Sequence, residues 1–371
     1  MIPPRFITSW PFPCSSLASF GSSWKLLAMA AALCDGGGAR LPLSLRLLSG
    51  LIKTANALIR RSDYTIRRWL GSIEEIRFPA LSIPIYGVST RDIAAPSLGD
   101  SCWARLFIPD DAAKNTSSSA SLPVVIYYHG GGFAVLRPDF LLYDIFCRRL
   151  AKIARCIVVS VNYPLAPEHR YPAVHDSCFH FLKWLRSKEA RDALPASADL
   201  SRCFLSGDSA GGNIAHFVVC RAAIAEEQAL LDPLRVRGSI LIQPFFGSQE
   251  RSPSEIVLRN GPIISLEMTD WYWRAYLPDG EDRDHPICNV FGPRSMDITA
   301  LPLPPSLVLV GEYDLLKDAQ MSYAQGMAAA GKKVKVLLYK RGVHVFHIFY
   351  RLKSSRQCLS DIAQFIHETL A

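Results

Sequence analysis

The chain has 371 residues, 49% of them hydrophobic and 20% charged, with a formal net charge of +8. This is an ordinary globular composition, and the length suits one large α/β domain or two smaller ones, with residues to spare for a cap over a pocket. The basic residues are spread singly, and the tightest clusters, Arg60-Arg61 and Arg67-Arg68, read as the solvated side of an amphipathic helix rather than a nucleic-acid footprint, which needs a longer basic stripe with interleaved aromatics.

Residues 1–40 are read as a disordered N-terminal extension. The run LLAMAAALC (26–34) has the length of a signal-peptide h-region but begins late, and it is too short to span a bilayer. An organelle transit peptide and a translation start at Met29 stay open. The spacing predicts one or two helices over 43–70 and an antiparallel strand at 103–109 (WARLFIP). From 123 onward, apolar β-branched runs alternate with helical patterns, the mark of βαβ units on a mainly parallel sheet. The strands are expected at 123–128, 156–161, 203–207, 239–244, 306–311 and 334–339, near-continuous apolar runs of the kind covered on both faces. Helices are expected at 141–154, 173–187, 211–226, 316–330 and 352–369. The stretch 245–300 breaks the alternation and carries Trp271-Tyr272-Trp273. It is expected to be a cap over a pocket or a satellite core, with both readings open.

The ten cysteines contain no C-x-x-C pair and several sit in apolar runs, so they read as buried free thiols of a reducing compartment. Asn115 heads a formal glycosylation sequon inside a Ser-rich stretch and reads as a surface loop. No histidine shows metal-ligand spacing, and neither metal nor cofactor is expected.

Two motifs carry chemistry. Gly207-Asp208-Ser209-Ala210-Gly211 follows one expected strand and opens an expected helix. A serine on such a sharp turn exposes its Oγ above the sheet, and the helix N-terminus favours developing negative charge. His129-Gly130-Gly131-Gly132 follows the strand at 123–128. Glycines there let the backbone turn its amides inward, as an oxyanion hole requires, with the N–H groups of Gly131, Gly132 and Ala210 as the expected donors. A flexible turn is the plain alternative for this glycine run. The chain order Ser…Asp/Glu…His then points to Asp314, just past a strand end, with Glu312 and Asp318 as competitors, and to His344, with His347 as competitor. His169, His175, His180, His216, His285 and His367 read as surface or packing residues.

The segments YYHGGGFAV, VSVNYPLAPEHRYPA, GDSAGGNIAH, GEYDLLKD and VHVFH resemble the plant carboxylesterases of the hormone-sensitive-lipase group, from about residue 41 to the end. Within the group the likeness is strongest to the branch carrying LSRCF and QPFFG. The resemblance implies an α/β-hydrolase fold with a mainly parallel central sheet flanked by helices. It implies an N-terminal helical lid at 41–80, a cap at 245–300, and a single domain over 41–371. It also implies Ser209 as nucleophile, Asp314 as acid, His344 as base, and His129 with Gly130, Gly131 and Gly132 as the oxyanion motif. The same family holds the soluble gibberellin receptors, which keep the fold, have lost the catalytic histidine and use N-terminal helices as a lid over hormone. This sequence has His344, and Gly132 where the receptor-like pattern carries serine. The expected function is therefore hydrolysis of a small carboxylic ester in the cytoplasm, with a nuclear share and organelle targeting by residues 1–40 left open. No nucleic-acid or membrane partner is expected. A hormone receptor that retains its triad, and an acyltransferase on the same triad, are the alternatives.

Overall fold

In the computed structural model the described residues are 43–70, 76–99, 102–110 and 121–371. The extension 1–40, the sequon at Asn115, Cys14 and Cys34 lie outside them. The chain divides into two compact units, 1–51 and 52–371. In the first, the described part is the beginning of helix α1 (Leu43–Ile59).

The second unit is built on an eight-stranded sheet: β1 (Val88–Ala94), β2 (Trp103–Pro109), β3 (Leu122–Tyr128), β4 (Ile157–Asn162), β5 (Ala198–Asp208), β6 (Val236–Ile242), β7 (Ser306–Tyr313) and β8 (Val334–Val343). Their order is β1-β2-β4-β3-β5-β6-β7-β8. The pairs β1–β2 and β2–β4 are antiparallel, and the other neighbours are parallel. The expected strand positions agree with this sheet, including the antiparallel strand at 103–109. Strand β1 has no counterpart in the sequence-based reading. Its residues VSTRDIA place charges on an edge strand, so the apolar run that marks the inner strands is missing.

The central strands are apolar because both faces are covered. Every residue of β3 is buried, and helix α4 (Ala210–Ala222) is buried along nearly its whole first half. Helices α2 (Leu141–Ala154), α3 (Ala173–Trp184), α6 (Lys317–Ala329) and α7 (Lys353–Leu370) supply the remaining cover, close to the expected ranges. From β3 the chain crosses to β4 on one side and then returns past β3 to β5 on the other. The carboxyl ends of β3 and β5 thus flank the point where strand order reverses, where an open α/β sheet leaves a crevice for ligands.

The segment 245–300 forms helix α5 (Leu266–Tyr276), started by the Ser265 side chain accepting from the Met268 N–H. Its aromatics divide by face. Trp273 stacks on Phe245 at 4.4 Å, Tyr272 points at the glycine loop after β3, and both belong to the main core. The eight described cysteines are free and buried. Among the described residues no helix is long and apolar enough to cross a membrane.

One expectation needs correction. The arginine pairs at 60–61 and 67–68 are not simply a solvated face. Arg60 is buried and makes two parallel bonds to Glu267, while Arg68 reaches the carbonyl oxygens of Ala134 and Ala166 as well as Glu168. A guanidinium fork can satisfy several acceptors at once, so arginine is kept where a loop must be tied to a neighbour.

Candidate active site

Ser209 closes β5 and caps α4 with φ 52° and ψ −118°, a conformation rare for a residue with a side chain and costing about 1–3 kcal/mol. The surroundings enforce it. The Ser209 N–H donates to the Ile242 oxygen at 2.9 Å, and its own oxygen accepts from the Phe245 N–H at 2.8 Å. The flanking glycines are sterically required: a Cβ at Gly211 would lie 1.9 Å from the Tyr128 oxygen, and one at Gly207 would lie 2.3 Å from the Gly211 oxygen.

The loop after β3 approaches this turn with Gly131 at φ 106° and Gly132 at φ 59°. Its residues fall into two kinds. Gly130 donates its N–H to Asp208 Oδ1 (2.9 Å) and the Tyr143 hydroxyl (2.8 Å), so that amide is already engaged. His129 stacks on Tyr163 at 4.2 Å, its Nδ1 lies 2.8 Å from the Gly130 oxygen, and burial pulls its pKa down to about 4. These two residues brace the loop. The N–H groups of Gly131, Gly132 and Ala210 have no acceptor among the described residues, which leaves them open to a ligand.

Asp208 ties the two motifs together. Its carboxylate accepts from the hydroxyls of Tyr127 (2.7 Å) and Tyr143 (2.9 Å) besides Gly130, and burial raises its pKa to about 6. His347 approaches it at 3.9 Å, but burial lowers the imidazole pKa to about 3, so this is not an ion pair.

On the other side of Ser209, His344 Nε2 lies 3.0 Å from Ser209 Oγ and His344 Nδ1 lies 2.8 Å from Asp314 Oδ2. All three residues are buried, with Ser209 at 7% exposure. The competitors are occupied elsewhere. Glu312 accepts from the Arg341 N–H, Asp318 accepts from the Ser254 N–H, and the His347 ring lies 3.4 Å from the Tyr127 hydroxyl. Of the histidines read as surface or packing residues, His175 and His216 are buried and hydrogen-bonded, to Asn213 and Tyr276 and to Tyr323 respectively. Among the described residues no cluster of metal-ligating side chains is present.

Sequence reasoning missed two groups. The first is the Asn56–Tyr272 pairing over the loop, between two segments expected to cover the pocket. The Tyr272 ring lies 2.5 Å from where a Gly132 Cβ would stand, and its hydroxyl pairs with the Asn56 amide of α1 at 2.9 and 3.0 Å. The second is a pair of glutamines, Gln243 and Gln320, against Asp314. Tyr272 stood inside a segment already singled out, but nothing in the spacing assigned it a partner.

The family described as "alpha/beta hydrolase fold" matches residues 125–348. Among curated proteins, gibberellin receptor GID1C of Arabidopsis thaliana is 37% identical over 336 residues, 88% of this chain and 94% of the receptor. Carboxylesterase 20 of the same plant is 37% identical, covering 77% of this chain and 88% of the relative. Among solved structures, a hyperthermophilic esterase from the archaeon Pyrobaculum calidifontis superimposes with a TM-score of 0.65 at 25% identity, covering 94% of this chain and 97% of that one.

Proposed function

The chain belongs to the α/β-hydrolase fold family and has an esterase-type fold, and from that premise we propose that it is a serine carboxylesterase acting on a small carboxylic ester. The observation that carries the reading is the unbroken chain Ser209 Oγ, His344 and Asp314, at 3.0 and 2.8 Å, beside three backbone N–H groups with no acceptor among the described residues.

In this reading Ser209 Oγ attacks the ester carbonyl while His344 Nε2 takes its proton. The carbonyl oxygen becomes the tetrahedral oxyanion and accepts from the N–H groups of Gly131, Gly132 and Ala210. The helix N-terminus behind Ser209 adds positive potential at the same place. Asp314 accepts from His344 Nδ1–H, which keeps Nε2 as the proton acceptor. Collapse expels the alkoxide, which takes from His344 the proton that Ser209 gave up, and leaves Ser209 acylated. Water then attacks the acyl carbonyl as it gives a proton to His344. Collapse of this second tetrahedral intermediate breaks the bond to Ser209, whose Oγ takes the proton from His344 as the acid is released.

A second reading has an observation in its favour, the likeness over 88% of the chain to gibberellin receptors. It has a gibberellin-like carboxylic acid bind in the same crevice without turnover. Hydrolysis of p-nitrophenyl esters of graded acyl length separates the two. The esterase reading expects turnover by the wild type and a fall of about a thousandfold or more in kcat for Ser209→Ala and for His344→Ala, both folded by circular dichroism. A wild type inert across the series, yet binding the acid, would establish the receptor reading instead.

A further inference from the structure

We propose that Gln243 and Gln320 are positioning residues that hold the Asp314 carboxylate as an oriented anion for His344, an inference that rests on the esterase reading.

The two amides come from different elements. Gln243 follows the end of β6 and Gln320 lies in α6, yet both direct Nε2 at Asp314 Oδ2, at 2.8 and 3.0 Å. The Leu316 N–H donates to Oδ1 at 3.0 Å, so four donors converge on one carboxylate once His344 is counted. The polarity of the amides follows from what they face. The Gln243 nitrogen also meets the Val343 carbonyl at 3.0 Å, and the Gln320 nitrogen meets the Pro244 carbonyl at 3.4 Å. Each therefore sits between two acceptors, and turning either amide over would set oxygen against oxygen. The consequence is visible at the other end: Oε1 of both glutamines is buried without a partner among the described residues. Two buried carbonyls left unpaired favour an arrangement whose purpose is delivery of N–H to Asp314.

The backbone shows the same priority. Gln243 has φ 47°, in the left-handed region where a side chain is disfavoured, and its N–H is held by the Leu309 oxygen at 2.8 Å. Gly311 on β7 clears the space, since a Cβ there would lie 2.6 Å from Gln243 Nε2. Strain and a vacant Cβ position together put one amide against one carboxylate. A carboxylate whose second oxygen is shared among three donors has few orientations available, and the one it keeps faces His344 Nδ1. Both amide nitrogens are spent on Asp314 and on the Val343 and Pro244 carbonyls, so the glutamines act through Asp314.

The test combines kinetics with a signal that needs no turnover. Gln243→Leu and Gln320→Leu each should lower kcat about tenfold on a p-nitrophenyl ester with KM unchanged, and their combination should lower it further. The downfield proton resonance of His344 Nδ1–H, read by NMR on the folded protein, should be present in wild type and broadened or shifted upfield in both variants. Gln243→Glu, whose protonated form still donates to Asp314, should recover part of the loss at acidic pH. If Gln243→Leu does not fold, Gln320→Leu carries the test alone. Unchanged kcat and an unchanged resonance in the leucine variants would overturn the proposal. A wild type without turnover would defeat the esterase reading, while the resonance would still report whether the amides order Asp314.

Discussion

The two sides of Ser209 are built by different means. On the β3–β5 side, backbone sterics do the work: Gly207 and Gly211 leave no room for a Cβ, and Gly131 and Gly132 take positive φ. On the β7–β8 side, side chains do it: His344, Asp314, Gln243 and Gln320 form a hydrogen-bonded series from four separate segments. The backbone side should be intolerant of added atoms and indifferent to conservative polar changes. The side-chain side should tolerate size and depend on donors and acceptors.

The largest expected effect lies on the backbone side. Gly211→Ala places a methyl 1.9 Å from the Tyr128 oxygen, in backbone that cannot yield cheaply. A loss of about 4 kcal/mol, or no folded protein, is expected from urea denaturation. A stable Gly211→Ala with wild-type activity would break the contrast.

Asp208 is the charged side chain that ties the two glycine turns of the backbone side together, so it sharpens the comparison. Its carboxyl is raised from 3.8 to about 6 by burial. Below about pH 4 folded and unfolded forms are both protonated, and Asp208 adds no pH dependence. Between about 4 and 6 the folded form binds the extra proton, so stability falls as pH rises, reaching a penalty of about 3 kcal/mol above pH 6. The buried histidines, whose lowered pKa values make stability rise over the same range, contribute equally to wild type and Asp208→Asn. In denaturation across pH 4–7, the stability of wild type relative to Asp208→Asn should therefore fall as pH rises from about 4 to 6. Equal slopes would contradict this account of Asp208.

A smaller effect is expected where the roof meets the loop. Gly132→Ser must push the Tyr272 ring aside, and kcat should fall about tenfold. Adding Tyr272→Ala should restore part of it, and no recovery in the double variant would mean that backbone conformation alone requires glycine there.

This contrast also explains what was legible in the sequence. Steric necessity writes itself as glycine at fixed offsets, so the turns at 129–132 and 207–211 stood out, and the apolar runs around them gave strand positions close to those observed. Asp314 and His344 could be placed because they follow strand ends in a fixed chain order. The resemblance to plant carboxylesterases pointed to the same residues. Gln243 stood in QPFFG without a role assigned to it, and Gln320 carried no mark at all. A glutamine after a strand or on a helix ordinarily reads as surface, and its role here depends on a left-handed φ and on Gly311 lying on the neighbouring strand. The Asn56–Tyr272 pair was hidden for a similar reason, because its partners stand 216 residues apart and neither motif nor periodicity links them.

The central claim is that Ser209 is a nucleophile activated by His344, and covalent capture addresses it most directly. A p-nitrophenyl alkylphosphonate should release one equivalent of p-nitrophenol and add its phosphonyl group to the peptide containing Ser209, located by mass spectrometry. Ser209→Ala should remain unlabelled and His344→Ala should react far more slowly. A folded wild type that stays unlabelled, or that is labelled at another residue while Ser209→Ala reacts as fast, would contradict the account.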